Sequence, residues 1–240
     1  MEPERAARLR AEMVDRQLVR RGIRDQTVLA VMRSLPRELF VPEELQADAY
    51  RDDALPIASG QTISQPYIVA RMTELLAPRA GMRVLEVGTG SGYQVAVLAA
   101  IGCRVISIER HAGLAETARA RLVALGLDER VRIEVGDGSI GWPAAAPFEG
   151  IIVTAAAPRV PPTLWSQLAD GGRLVVPVGT SRSQDLVRVM RLGDTFDERT
   201  FGGCVFVPLV GAEGFKGDDT LDSAPEAAHD SVPDSVPRDE

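Results

Sequence analysis

Apolar residues fall at helical spacing near the start of the chain and at strand spacing beyond residue 81. Over residues 3–21 the positions Leu9, Met13, Val14 and Leu18 share one helical face, and Gly22 suits a C-terminal stop. Asp25 is placed to cap a second helix that carries Val28, Leu29, Met32 and Leu35 and ends at Pro36. Residues 36–66 hold four prolines and few apolar runs, which predicts an irregular cap rather than regular elements. A third helix is expected over 66–76, with Ile68, Met72, Leu75 and Leu76 on one side.

After Gly81 short β-branched runs alternate with helical stretches. Strands are expected at 83–87, 104–109, 131–135, 151–154 and 173–178, with helices near 91–100, 112–125 and 161–169. Such alternation predicts parallel strands with helices on both faces, because each crossover returns the chain in the same direction. The last two apolar runs, 185–192 and 203–210, have no helix between them and are expected to close the sheet as an antiparallel hairpin. The expected fold class is α/β: a doubly wound, mostly parallel seven-stranded sheet with an N-terminal helical cap and a C-terminal hairpin.

Length and composition fit one large soluble domain, with 240 residues, 45% of them hydrophobic and 25% charged. Residues 1–80 are expected to pack on an α/β core of 81–215. The tail 216–240 is acidic, repeats Asp-Ser-Val-Pro and is expected to be disordered. Its eight acids against Lys216 and Arg238 account for most of the formal charge of -7, so the body is nearly neutral. That argues against a nucleic-acid binder, which would show a basic face. Cys103 and Cys204 make no disulfide framework, no apolar run reaches the ~20 residues of a membrane span, and the N-terminus lacks a signal-peptide core. The default expectation is a monomer in a reducing cytoplasm, with no metal.

Three strand ends carry the ligand argument. Gly88, Gly90 and Gly92 form a turn after the first long strand, with Glu86 just before it. Glu109 ends the second strand, and Gly136-Asp137-Gly138 follows the third. Ligands of open α/β sheets bind outside the carboxyl ends of the strands, so these features converge on one crevice. An acid at 109 suits two ribose hydroxyls, and Asp137 suits an adenine amino group. The third glycine arrives one position too early for a dinucleotide fingerprint, and no Gly-Lys-Ser/Thr follows to make a phosphate loop. An acid at 86 disfavours a pyrophosphate and suits a ligand with a positive charge.

This Glu-x-Gly-x-Gly-x-Gly, strand-end acid and Gly-Asp-Gly combination resembles the class I methyltransferases, Rossmann-like enzymes that use S-adenosylmethionine. Upstream, Gly60-Gln-Thr-Ile-Ser-Gln-Pro-Tyr67 resembles the protein-L-isoaspartate O-methyltransferase family. So do Pro36-Arg-Glu-Leu-Phe-Val-Pro42, the segment ending Ala155-Ala-Ala-Pro158, Leu174-Val-Val-Pro-Val-Gly179 and Phe206-Val-Pro-Leu-Val210. The likeness spans about residues 10–212. It implies methyl transfer from S-adenosylmethionine to the α-carboxyl of L-isoaspartyl residues in damaged proteins and peptides, followed by collapse to a succinimide.

A carboxylate of pKa near ~4 is ionised at neutral pH and needs no general base. The resemblance places Ser64 at the active site, where its hydroxyl orients that carboxylate; its other reading is a helix N-cap before Pro66. Thr62 and Ile63 are implied on the cofactor side, and Ala155, Ala156, Val207, Pro208 and Leu209 as main-chain contacts to an extended peptide. Two other readings stay open at this point: a carboxyl methyltransferase dedicated to one peptide, and a cofactor-binding adaptor without turnover.

Overall fold

The computed structural model describes residues 2–216, so the expectation of a disordered tail falls, Lys216 aside, outside the described residues. Helix α1 (Pro3–Met13) runs on through a π-helical turn, Val14–Val19, to Gly22. Helix α2 (Gln26–Ser34) is capped by Asp25, whose carboxylate accepts from the backbone N–H groups of Thr27 and Val28. The segment up to residue 65 is irregular, as its prolines require. It holds short 3-10 turns and a two-stranded antiparallel ribbon of β1 (Leu55–Pro56) and β2 (Thr62–Ile63). Helix α3 (Pro66–Leu76) begins with proline at its first position, where the missing N–H costs nothing.

The body is one seven-stranded sheet. Its strands are β3 (Arg83–Val87), β4 (Arg104–Glu109), β5 (Val131–Val135), β6 (Phe148–Val153), β7 (Leu168–Gly179), β8 (Gln184–Leu192) and β9 (Thr195–Cys204). They lie in the order β5-β4-β3-β6-β7-β8-β9. Pairings from β5 through β7 are parallel, and β7–β8 and β8–β9 are antiparallel. The winding reverses between β3 and β6, and the carboxyl ends of the strands around that point open onto one crevice.

Alternate residues along each strand feed two cores. Val84, Val105, Ile152 and Val175 pack under α1 to α3 together with α4 (Tyr93–Ile101) and α5 (Ala112–Ala124). Leu85, Val87, Ile108 and Ile151 pack on the other face, which is covered by the short helix α6 (Pro162–Ser166) and by extended chain around Trp142 and Val207 to Leu209. Helical cover is therefore concentrated on one face. Among the described residues no helix is long and apolar enough to cross a membrane.

The hairpin differs from expectation in its outer strand. Pairing with β8 is made by Thr195–Cys204, so only Gly203 and Cys204 of the apolar run 203–210 take part, and the run leaves the sheet after them. Pro208 has no N–H to donate to a ladder. The run instead crosses back over the crevice, where the Ala156 N–H donates to the Val207 carbonyl at 2.8 Å and the Leu209 N–H to the Ala156 carbonyl at 2.7 Å. Strand β7 also starts earlier than expected, because Leu168, at the end of the expected helix, already pairs with Phe148, and the register shifts before pairing resumes at Arg173.

Candidate active site

At the end of β3 the chain turns sharply into α4. Gly88 has φ +94, and a Cβ there would lie 2.5 Å from Thr154 Oγ1, so only glycine fits. The Thr154 hydroxyl sits beside that turn and donates to the carbonyls of Val87 and Gly88. From β4, Glu109 stabilises the turn from the other side. Its Oε2 accepts from the Gly90 N–H at 2.8 Å and its Oε1 from the His111 N–H at 2.9 Å. One donor on each oxygen leaves each with acceptor capacity, and the carboxylate is held in place before any ligand arrives.

The turn, the 61–64 loop and the 207–210 crossover enclose a cleft of about 750 Å³ including its open mouth. Thr62, Ile63, Ser64, Gly88, Gly90, Glu109, Gly138, Ala155, Val207, Pro208 and Leu209 all border it. The structure thus brings together residues that lie as far apart as 62 and 209 in the chain. Ser64 does not cap α3: the cap position is Gln65, with no side-chain bond to the helix, and no described residue hydrogen-bonds the Ser64 hydroxyl. The helix-cap reading of Ser64 is therefore set aside.

Four expected site residues sit elsewhere. Glu86 is fully buried behind the turn, where its Oε2 accepts from the Ser107 hydroxyl, itself 2.5 Å from the Thr89 hydroxyl. Burial, opposed by the Ser107 bond and reinforced by nearby Glu109, pushes its pKa up to about 8. Gly92 caps the N-terminus of α4. Asp137 accepts from the N–H and hydroxyl of Ser139 and from the Ala212 N–H, so both its oxygens already have donors. It fastens the segment after 210 and is not among the residues that border the cleft, and these bonds hold its pKa below the usual carboxylate range despite partial burial. Ala156 does not border the cleft, and its N–H and carbonyl are bonded to Val207 and Leu209.

Among the cleft residues with no role assigned from sequence, three are polar or aromatic side chains from outside the loops already described. These are Tyr93, Gln94 and Arg110. Tyr93 and Gln94 belong to an evenly apolar helix, α4, whose pattern marks them as core, and Arg110 reads as an ordinary exposed cation.

Residues 8–214 match the family model for protein-L-isoaspartate(D-aspartate) O-methyltransferase. The chain belongs to that family. A protein-L-isoaspartate O-methyltransferase of Methylorubrum populi is 57% identical to it over 87% of this chain and 98% of the relative. One from Methanoregula boonei is 53% identical over 86% of this chain and 95% of the relative. Among solved structures, a protein-L-isoaspartate O-methyltransferase superposes with a TM-score of 0.74 at 30% identity, covering 85% of this chain and 67% of that one. A putative protein-L-isoaspartate O-methyltransferase from Plasmodium falciparum, in complex with S-adenosyl-L-homocysteine, gives 0.71 at 25% identity over 84% and 98%. The match runs from α1 to the segment past β9, so the cleft lies wholly inside the family's extent.

Proposed function

We propose that this protein transfers a methyl group from S-adenosylmethionine to the α-carboxyl of L-isoaspartyl residues in damaged proteins and peptides, starting their repair. The observation that carries the reading is the meeting of Ser64, whose hydroxyl has no partner among the described residues, with the Gly88–Glu109 cradle in one cleft. The residues present fit the cofactor. Glu109 keeps acceptor capacity for a pair of hydroxyls, and Glu86 has a buried Oε1 without a partner behind the turn.

In this assignment Glu109, Gly88, Gly90, Thr62, Ile63 and Gly138 hold S-adenosylmethionine, which supplies an electrophilic methyl on a sulfonium. Asp137 and Glu86 act from behind, Asp137 by holding the segment after 210 and Glu86 by bracing the turn through Ser107. Ser64 orients the substrate carboxylate, and Ala155 with Val207, Pro208 and Leu209 flank the peptide. No proton has to be removed, because the attacking carboxylate is ionised at neutral pH. The protein's task is alignment, which can contribute about 7 to 11 kcal/mol. The methyl ester then loses methanol as the neighbouring peptide nitrogen closes a succinimide, and hydrolysis of that ring yields part of the product as normal aspartate. Residues 1–80 form the cap and substrate loop on a cofactor-binding core of 81–215, and the protein acts as a monomer in the cytoplasm, where its two free cysteines stay thiols.

The test uses two peptides that differ only in L-isoaspartate against L-aspartate, with labelled S-adenosylmethionine. The expected result is label in the isoaspartyl peptide alone, and equal labelling or none would overturn the proposal. In the same assay Ser64→Ala is expected to lower kcat about 10- to 100-fold, the worth of one hydrogen bond to a charged group, while affinity for S-adenosylhomocysteine stays within about 2-fold.

A further inference from the structure

Arg37 is fully buried, yet among the described residues no carboxylate lies within ion-pair distance of it. A buried cation with no carboxylate at ion-pair distance is expensive, and an apolar side chain of similar bulk would fill the space at lower cost. What the guanidinium touches sets out its use. Its Nε donates to the Ala49 carbonyl at 2.7 Å and one terminal nitrogen to the Ser64 carbonyl at 2.8 Å. Its guanidinium carbon lies over the Tyr93 ring, 4.8 Å from the ring centre, and Tyr93 borders the cleft as the first residue of α4 and packs edge-on against Phe40. One buried group therefore joins three parts of the chain: the irregular cap, the loop that carries Ser64, and the helix that follows the glycine turn.

We propose that Arg37 is a positioning residue for methyl transfer, holding the Thr62–Ile63–Ser64 loop at a fixed distance from the glycine turn. The inference rests on the methyltransferase reading above and does not depend on which atom of the loop meets the substrate. A planar fork with donors on several sides can reach two carbonyls and stack on a ring at once, whereas the single ammonium of lysine cannot. Burial lowers the guanidinium pKa to about 10, still well above neutrality, so the clamp stays charged at working pH. The contact sets the loop's backbone and leaves the Ser64 hydroxyl uncommitted.

The experiment compares full-length Arg37→Lys and Arg37→Gln with the parent protein in kcat, KM for an isoaspartyl peptide, thermal midpoint and affinity for S-adenosylhomocysteine. We expect both to keep affinity for S-adenosylhomocysteine within about 3-fold while kcat falls about 100-fold, the size of effect that a loop misplaced by an ångström produces. Arg37→Lys should lose less than Arg37→Gln. Where Ser64→Ala alone slows turnover, adding Arg37→Lys to it should cost less than the product of the two single losses, since both disturb the same loop. A parental kcat in the variant that folds, or a loss of S-adenosylhomocysteine affinity as large as the loss of kcat, overturns the inference. A parental rate for Ser64→Ala beside a slow Arg37→Lys would sink the role given to the serine hydroxyl and support the clamp. Absence of methyl transfer in the parent protein would instead defeat the functional reading itself.

Discussion

A carboxyl group sealed from water holds its proton more tightly, and Glu86 is such a group. Its pKa of about 8 lies above the usual carboxylate value of 4.5. Between those values the folded state carries a proton that the unfolded chain has lost, so stability is fully present below about pH 4.5 and declines as pH rises to about 8. The slope of that decline is at most about 1.4 kcal/mol per pH unit. Glu86→Gln keeps an acceptor for Ser107 and removes the titration. Denaturant unfolding of the ligand-free protein should therefore show the glutamine variant gaining on the parent from pH 5 to pH 8, and a constant difference would mean that Glu86 ionises freely. The roles of single residues were unevenly legible in the sequence. Glu109 was readable as a strand-end acid from local pattern, whereas Ser64 came into view only through the resemblance of its loop to the family, since the helix-cap reading that local pattern offers for it does not hold. Arg37 was not readable, because its burial depends on carbonyls 12 and 27 residues away. Asp137 looked like a ligand-facing acid for the same reason: the N–H that satisfies it belongs to Ala212, 75 residues on.

Elements with an apolar face announced themselves, and the strands β3, β4 and β5 and helix α3 fall on their expected bounds. Strand β9 did not, because it lies at the sheet edge with most of its side chains in water and so has little apolar signal; its pairing with β8 defines it. The apolar run after it is a crossover strap rather than a strand. Beyond residue 210 that strap is tied down by Asp137 to Ala212, by the Glu213 N–H donating to the Ser139 hydroxyl, and by the Thr163 N–H donating to the Glu213 carboxylate. Gly211 makes the close approach possible, since a Cβ there would lie 2.1 Å from Asp137 Oδ1 and 2.5 Å from Ser139 Oγ. Gly211→Ala should push the strap off its anchor, costing about 1 to 3 kcal/mol of stability as overpacking does. Affinity for S-adenosylhomocysteine should fall with it, because Val207 to Val210 form one wall of the cleft. Parental affinity and thermal midpoint in that variant would show that the strap yields without consequence.

At the scale of the whole molecule, residues before 216 already supply two hydrophobic cores and a lined cleft among the described residues. The family match likewise ends at residue 214. What lies beyond carries charge. Removing residues 217–240 takes away eight acids and Arg238, leaving 26 of the 27 basic side chains and 26 of the 34 acidic ones, a formal net charge of zero in place of -7. A chain ending at Lys216 should therefore keep its kcat, its KM and its thermal midpoint within error, because it retains every described core and cleft residue. Its solubility should fall, with a minimum close to pH 7, since a protein near zero net charge loses the repulsion that keeps copies apart. Light scattering across pH 5 to 9, run beside the peptide assay, separates the two effects. A fall in kcat would assign the acidic segment a part in turnover, and unchanged solubility at pH 7 would show that the distribution of charge on the body, not its sum, keeps the protein in solution.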